Sequence, residues 1–417
     1  MANNKAIPYK FKSIFIHSEA KNDQITKEII DYFPELPVEI VNDEQEFIKE
    51  SSKLPLTQGK RHLWLTRQKG TFIKYCHGAT RTSDTYTCCN YLISNESVGC
   101  PIECNYCFLQ GYMTNPSITV YTNYEKIQDE LRFISKKNPR RLLRVGTGEL
   151  SDSLALDPVV RLTEKLAETV ASLPNIFLEF KTKTDHVDHL LEMPYRKLIV
   201  SWSVNTEWIV KNVEHKSAPL EKRLKAMKKI SDAGFLMGIH FDPVIYYQDW
   251  KNGYRDLVKR ISEVVDPRRI VWVSMGSFRT PPTLKENIRM RFPKSPVFIG
   301  EQIKGTDNKM RYIKPLRFQL YKNIYNWIKE YFGDVFFYFC MESKDLWREV
   351  VGEVPQNSFE LDYMFAKSNH QKFPEYQLPE PHPDVYQQPI IVMIDERFNG
   401  PIKNSNVVWK NPLRETI

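Results

Sequence analysis

Short apolar runs alternate with longer amphipathic stretches through the middle of this chain. Residues 142–145, 176–181, 198–204, 235–241 and 270–274 have the length and apolar character of buried strands. Between them, residues 124–136, 158–172, 186–192, 219–233 and 253–264 carry apolar positions at helical spacing. This alternation predicts βα units on a parallel sheet. With one more strand ending just before residue 100, about six units are expected, as a partial (β/α)6 TIM-like barrel whose chemistry lies at the C-terminal strand ends. Ahead of it, a strand at 11–16, a helix at 22–33 and a strand at 38–41 form a small α/β unit, and residues 61–66 and 71–76 read as a hairpin around Lys69-Gly70.

Residues 296–340 read as a further α/β stretch, with a basic segment at 304–317 and a helix at about 318–331. After residue 356 the composition shifts. Pro374, Pro379, Pro381, Pro383 and Pro389 mark an extended segment, followed by a short apolar run at 390–394 and a polar end. The resulting division is an N-terminal α/β unit at 1–90, the barrel at 91–285, a C-terminal α/β segment at 286–356 and a proline-rich extension at 357–417. No internal repeat of fixed period is present.

The composition is that of a globular protein, with 41% hydrophobic and 26% charged residues in 417. No apolar run is long enough to cross a bilayer and the start lacks a secretory pattern, so a cytoplasmic protein is expected. The net charge of +8 is compatible with a polyanionic partner such as DNA, though many soluble proteins are as basic. Seven cysteines in a chain of this kind favour metal or catalytic roles over a disulfide framework.

Three of those cysteines stand together. Cys100, Cys104 and Cys107 lie in the run Gly-Cys-Pro-Ile-Glu-Cys-Asn-Tyr-Cys, at spacings of four and three. Thiolates are the usual protein ligands of iron–sulfur clusters, which take four. Three on a [4Fe–4S] cluster leave one iron open, the arrangement by which radical S-adenosylmethionine (SAM) enzymes hold the methionine end of SAM. A zinc loop would call for paired Cys or Cys/His groups, and no second pair stands at such spacing. Tyr106, before the third cysteine, matches the aromatic position that packs near adenine in those enzymes. Cys76, Cys88, Cys89 and Cys340 have no comparable spacing and read as buried apolar thiols. One strand later, Gly146-Thr147-Gly148-Glu149 resembles the turn that holds the SAM amino group: glycine admits a close ligand, and a carboxylate suits an ammonium.

With these motifs the chain resembles the spore photoproduct lyase family, from about residue 11 to 345. The resemblance includes Leu109-Gln110, Tyr121-Thr122-Asn123, the run from Thr182 to Leu191, Ser203-Val204-Asn205, Lys211-Asn212 and the run from Ser217 to Arg223. It implies a partial TIM barrel with a [4Fe–4S] cluster and SAM as cofactors, DNA carrying a thymine-derived base as substrate, and an electron donor such as flavodoxin or ferredoxin. It places Lys183 near the SAM carboxylate, and Ser203 and Asn205 near its ribose. The candidate catalytic residues are therefore Tyr106, Glu149 and Lys183; Gly146, Gly148, Ser203 and Asn205 join them in binding SAM. Lys304, Lys309 and Arg311 are the candidate DNA contacts. His186 and His189 read as helix-packing residues.

The chain departs from the family at three points. Where family members carry a cysteine in a Cys-Thr-Ser-Asp run, this sequence has Glu149-Leu150-Ser151-Asp152. Where they carry a tyrosine after the third cluster cysteine, it has Phe108. Their Arg-Tyr pair on a DNA-inserting hairpin falls near Thr306-Asp307. The first two positions return hydrogen to the product in the family. A rearrangement needs no such donor, because the substrate radical takes its hydrogen back from 5′-deoxyadenosine. The sequence therefore favours radical isomerisation of an aminoacyl-type modified thymidine in DNA hypermodification, by family-level analogy. Lyase-type repair of thymine dimers is the alternative, and a DNA-binding Fe–S sensor without catalysis is the rival of another class.

Overall fold

The computed structural model describes residues 7–76 and 86–393. Residues 1–6 of the N-terminal unit, residues 77–85, and the extension from Ile394 onward, including the end of the 390–394 run, lie outside the described residues.

Two sheets organise the chain. A five-stranded sheet has the order Val38–Val41, Ser13–His17, His62–Thr66, Ile118–Tyr121, Ser97–Val98; all its pairs are parallel except the last. An eight-stranded sheet runs Phe337–Phe339, Ile270–Ser277, Leu236–Val244, Ile199–Ser203, Ile176–Thr182, Leu143–Gly146, Leu92–Ser94, Ile73–Tyr75. Its first seven strands are parallel, and Ile73–Tyr75 is an antiparallel edge. The sheet curls into a half-barrel, the partial TIM-like barrel expected. Its strands are apolar and buried almost throughout, as parallel strands covered on both faces must be. Among the described residues no helix is long and apolar enough to cross a membrane.

Three expectations are corrected. Residues 61–66 and 71–76 do not form a hairpin. His62–Thr66 lies between two parallel neighbours, where both its faces are covered, and Ile73–Tyr75 joins the other sheet. The Glu130 carboxylate draws the second segment there, accepting the backbone N–H of Phe72 at 3.0 Å and of Ile73 at 2.8 Å. The helix expected at 186–192 is a single 3-10 turn, Asp188–Leu190. Finally, the C-terminal extension opens with a fifteen-residue helix, Ser358–Lys372, capped by the Asn357 side chain.

That helix plugs the N-terminal end of the barrel. Asp362 receives Arg141 at 2.6 Å and Arg144 at 2.8 Å, all three buried. Phe365 packs against Trp272 and Tyr338, with the Arg144 guanidinium 3.6 Å from its ring. The proline-rich stretch then runs back past the first strand residues: Tyr386 Oη accepts the N–H of Leu142, and Arg141 donates to the Gln388 carbonyl. Above this floor, Glu179 fills the barrel centre. It accepts from Tyr91, Ser201, His240 and Trp272; burial opposes its charge, but His240, Lys181 and the Ser201 hydroxyl hold its carboxyl well below the usual range.

Candidate active site

The strand Leu92–Ser94 delivers the chain to the C-terminal end of the barrel, where the cysteine loop begins. Gly99 turns the backbone at φ +92, a conformation that favours glycine. The loop is then braced from several sides. Glu103–Cys104 pairs antiparallel with Glu214–His215, Asn105 N–H donates to Val213 O at 2.9 Å, and Gln110 Nε2 donates to Asn105 O at 2.8 Å. Arg291 in turn holds Gln110 Oε1 at 2.6 Å. Cys104 is buried; Cys100 and Cys107 are half-buried. Burial pushes the Cys100 thiol up to about 12 and raises Cys104 further, so these sulfurs ionise only against a compensating cation such as a metal centre. Among the described residues no three Cys, His, Asp or Glu side chains converge closely enough for a single metal ion.

The Gly146–Glu149 turn lies beside that loop. Gly99 N–H donates to Leu150 O at 2.9 Å, and Ser151 Oγ returns a bond to Gly99 O at 2.9 Å. Gly148 has φ +85, and a Cβ there would stand 2.6 Å from Ser153 Oγ. At Gly146 a side chain would collide with the Tyr91 hydroxyl. Glu149 hydrogen-bonds with Asn95, and burial raises its carboxyl against the opposing pull of Lys181 and Lys309. Its Oε2 is buried without a partner. An unpaired buried carboxylate oxygen lacks a donor, and an ammonium group supplies one.

Lys183 follows the strand Ile176–Thr182. Asp152 fixes its backbone, accepting Lys183 N–H at 2.7 Å and the Thr182 hydroxyl at 2.8 Å. Burial disfavours its charge, but Cys104 and Glu214 outweigh that and raise its pKa. Its Nζ lies 5.9 Å from the centre of the Tyr106 ring and makes no ion pair among the described residues. It is a charged group ready for an anionic ligand. Tyr106 in turn donates to Glu214 Oε1 at 2.5 Å, while Arg223 holds Glu214 Oε2 at 2.7 Å.

The remaining candidates divide. Ser203 is buried at the end of its strand. Asn205 is only 1% exposed and fully engaged: Nδ2 donates to Glu214 and to Pro243 O, and Oδ1 accepts from Tyr254. It positions Glu214 rather than offering a free amide. His186 and His189 pack as expected, His189 against Asp157 at 2.6 Å. Phe108 is 41% exposed and edge-on to Tyr112.

The DNA-facing assignment is corrected for two of its three residues. Lys304 is exposed, but Arg311 is 1% exposed, paired with Asp307 at 2.5 Å and lying over the Tyr86 ring. Lys309 is also turned inward, where burial pushes its pKa down to about 8. The strands Gln302–Lys304 and Met310–Tyr312 form a tight antiparallel pair, so alternation sends Arg311 into the protein. Arg289 and Lys294, which sequence reasoning passed over, are exposed nearby. Arg289 is in the last turn of the helix Leu284–Arg291 and Lys294 follows it; Asn287 of the same helix reaches Gln110 O at 3.5 Å beside the cysteine loop. Glu214, Arg223 and Asn95 were also missed as site residues. The Ser217–Arg223 motif was the one signal for Arg223.

A three-cysteine loop on a parallel half-barrel, with a carboxylate turn after the next strand, defines a radical SAM enzyme; its cofactors are a [4Fe–4S] cluster and SAM. Residues 9–338 match the family described as spore photoproduct lyase, and the chain belongs to that family. It is 27% identical over 300 residues to the spore photoproduct lyase of Bacillus subtilis (strain 168), covering 71% of this chain and 86% of the relative. The Clostridium acetobutylicum lyase is 26% identical over 224 residues, covering 52% and 66%. A solved mutant spore photoproduct lyase with bound AdoMet and dinucleoside spore photoproduct superposes with a TM-score of 0.69 at 21% identity, over 80% of this chain and 99% of that one.

Proposed function

We propose that this enzyme cleaves a thymine photoproduct in DNA by radical chemistry, the activity for which its named relatives are called lyases. When bound, a reduced cluster with SAM would supply the 5′-deoxyadenosyl radical chemistry that hydrogen abstraction from the substrate needs. Cys100, Cys104 and Cys107 would hold the cluster. Glu149 would pair with the SAM ammonium and Lys183 with its carboxylate, while Tyr106 lies beside them. The observation that carries the SAM assignment is the buried, unpartnered Glu149 Oε2 next to the cysteine loop. The electron donor would be a one-electron carrier such as flavodoxin or ferredoxin. Lys304, with Arg289 and Lys294, would contact the DNA backbone. The test is an anaerobic assay of reconstituted enzyme, SAM and reductant on dinucleoside spore photoproduct. Formation of two thymidines supports the reading, and an intact substrate alongside normal SAM cleavage refutes it.

One observation favours a second reading. Glu149 and Phe108 occupy the positions from which the family returns hydrogen, and neither side chain gives up a hydrogen atom readily. Isomerisation of an aminoacyl-type thymidine would need no donor. Deuterium placed at the abstracted position of such a substrate would then appear in SAM.

A further inference from the structure

The strand Phe337–Phe339 closes the parallel sheet beside Ile270–Ser277. Phe337 packs on Tyr325 and Phe339 on Tyr321, both from the covering helix Lys314–Phe332, so these two rings point outward. Alternation then turns Tyr338 and Cys340 into the barrel. Tyr338 confirms the direction by resting on Phe365 of the floor. Cys340 is one step higher: its N–H donates to Met275 O at 2.9 Å, which fixes it just past the strand, at the mouth.

The sulfur is held there. Arg279 Nη2 donates to Cys340 Sγ at 3.3 Å and is locked by two bonds of 3.1 Å to the Asp242 carboxylate. Gly276 leaves room for this bridge, since a Cβ there would stand 2.7 Å from Arg279 Nη1. Two charged groups lie near the same space. Lys309 reaches Met341 Sδ at 3.8 Å and is within electrostatic range of Asp307, Arg279, Cys340 and Glu149. Glu149 presents its unpaired Oε2. Cys340 therefore stands at the barrel mouth, with Lys309 within electrostatic range of both its sulfur and the SAM-side carboxylate. Of the cysteines within electrostatic range of Cys340, Cys89 is buried and hydrogen-bonded to Cys88, beside Arg144 near the floor.

We propose that Cys340 is the hydrogen-atom donor that completes the reaction, in place of the donors absent at Glu149 and Phe108; the inference rests on the lyase reading. Once the bridge between the two thymines has broken, the product carbon radical takes the Cys340 hydrogen. A C–H bond forms, the S–H bond breaks, and a thiyl radical remains. One electron from the same one-electron reductant that feeds the cluster, with one proton from solvent, restores the thiol. Each turnover then uses one SAM, two electrons and one proton. Burial raises the thiol to about 12, so it carries its hydrogen at neutral pH. Arg279 is the positioning residue that aims the sulfur.

The test uses Cys340→Ala and Cys340→Ser, with dinucleoside spore photoproduct, dithionite and SAM in D2O, where a thiol exchanges to S–D. Wild-type enzyme should place solvent deuterium in the product thymine methyl. Both variants should keep cluster absorbance, SAM affinity and 5′-deoxyadenosine formation, yet lose thymine product by about tenfold or more, together with its solvent label. Cys340→Ser retains a polar group of similar size, so its failure cannot be a cavity effect. Unchanged product yield and label in both variants would overturn the donor role alone. A wild-type enzyme that leaves the photoproduct intact would overturn the lyase reading and this proposal with it.

Discussion

The Tyr106 hydroxyl donates to Glu214 Oε1 at 2.5 Å, joining the residue before the third cluster cysteine to the two-residue strand that pairs with its loop. Arg223, fully buried, balances the Glu214 charge at 2.7 Å. Removing either partner has different consequences. Tyr106→Phe deletes one hydrogen bond and should cost about 1–2 kcal/mol of stability. Glu214→Ala leaves the Arg223 guanidinium buried and unpaired, and should cost about 3–5 kcal/mol. Urea denaturation of both variants, with iron content after anaerobic reconstitution, checks this. Equal costs in the two would mean that Glu214 does not carry the Arg223 charge.

Binding of SAM should respond to Glu149→Ala and Lys183→Ala without loss of the cluster. Each removes one charge-assisted hydrogen bond, about 1.5–3 kcal/mol, or roughly one to two decades in affinity. Anaerobic equilibrium binding with matched absorbance spectra measures it. Unchanged affinity in both variants would remove these residues from the SAM site.

The basic residues separate by exposure. Replacing Arg289, Lys294 and Lys304 by Gln should flatten the salt dependence of duplex binding, by a slope of about 0.9 for each phosphate that is no longer neutralised. Arg311→Gln should instead lower stability, because Asp307 would lose its buried partner. An identical salt slope in the triple variant would place the DNA elsewhere.

Glu96, buried just before the cysteine loop, gives the fold a pH dependence. Burial raises its carboxyl to about 8, and Asp157 adds to the shift. The folded state keeps a proton that the unfolded chain has already lost, so this contribution is complete below the ordinary carboxyl range. It falls as pH rises towards 8, by about 1.4 kcal/mol for each pH unit. Glu96→Gln should therefore gain on wild type in urea titrations at pH 8 and match it near pH 4. A constant difference across that range would mean the carboxyl titrates normally.

Features that depend on local spacing were legible in the chain alone. The cysteine loop, the Gly146–Glu149 turn and the βα alternation are written in neighbouring residues, and the observed strands Ile176–Thr182 and Ile199–Ser203 fall within a residue or so of the apolar runs that predict them. Sidedness and distant partners emerge only once the chain is folded. Arg311 belongs to a basic segment, but strand alternation and Asp307 bury it. His62–Thr66 and Ile73–Tyr75 are close in sequence, but Glu130 and the parallel neighbours send them to different sheets. Cys340 stands far from the cluster cysteines along the chain and carries no motif. Only the closing strand of the barrel and the Arg279–Asp242 pair bring its sulfur to the mouth, because the inward face of a strand is set by what packs on the other side.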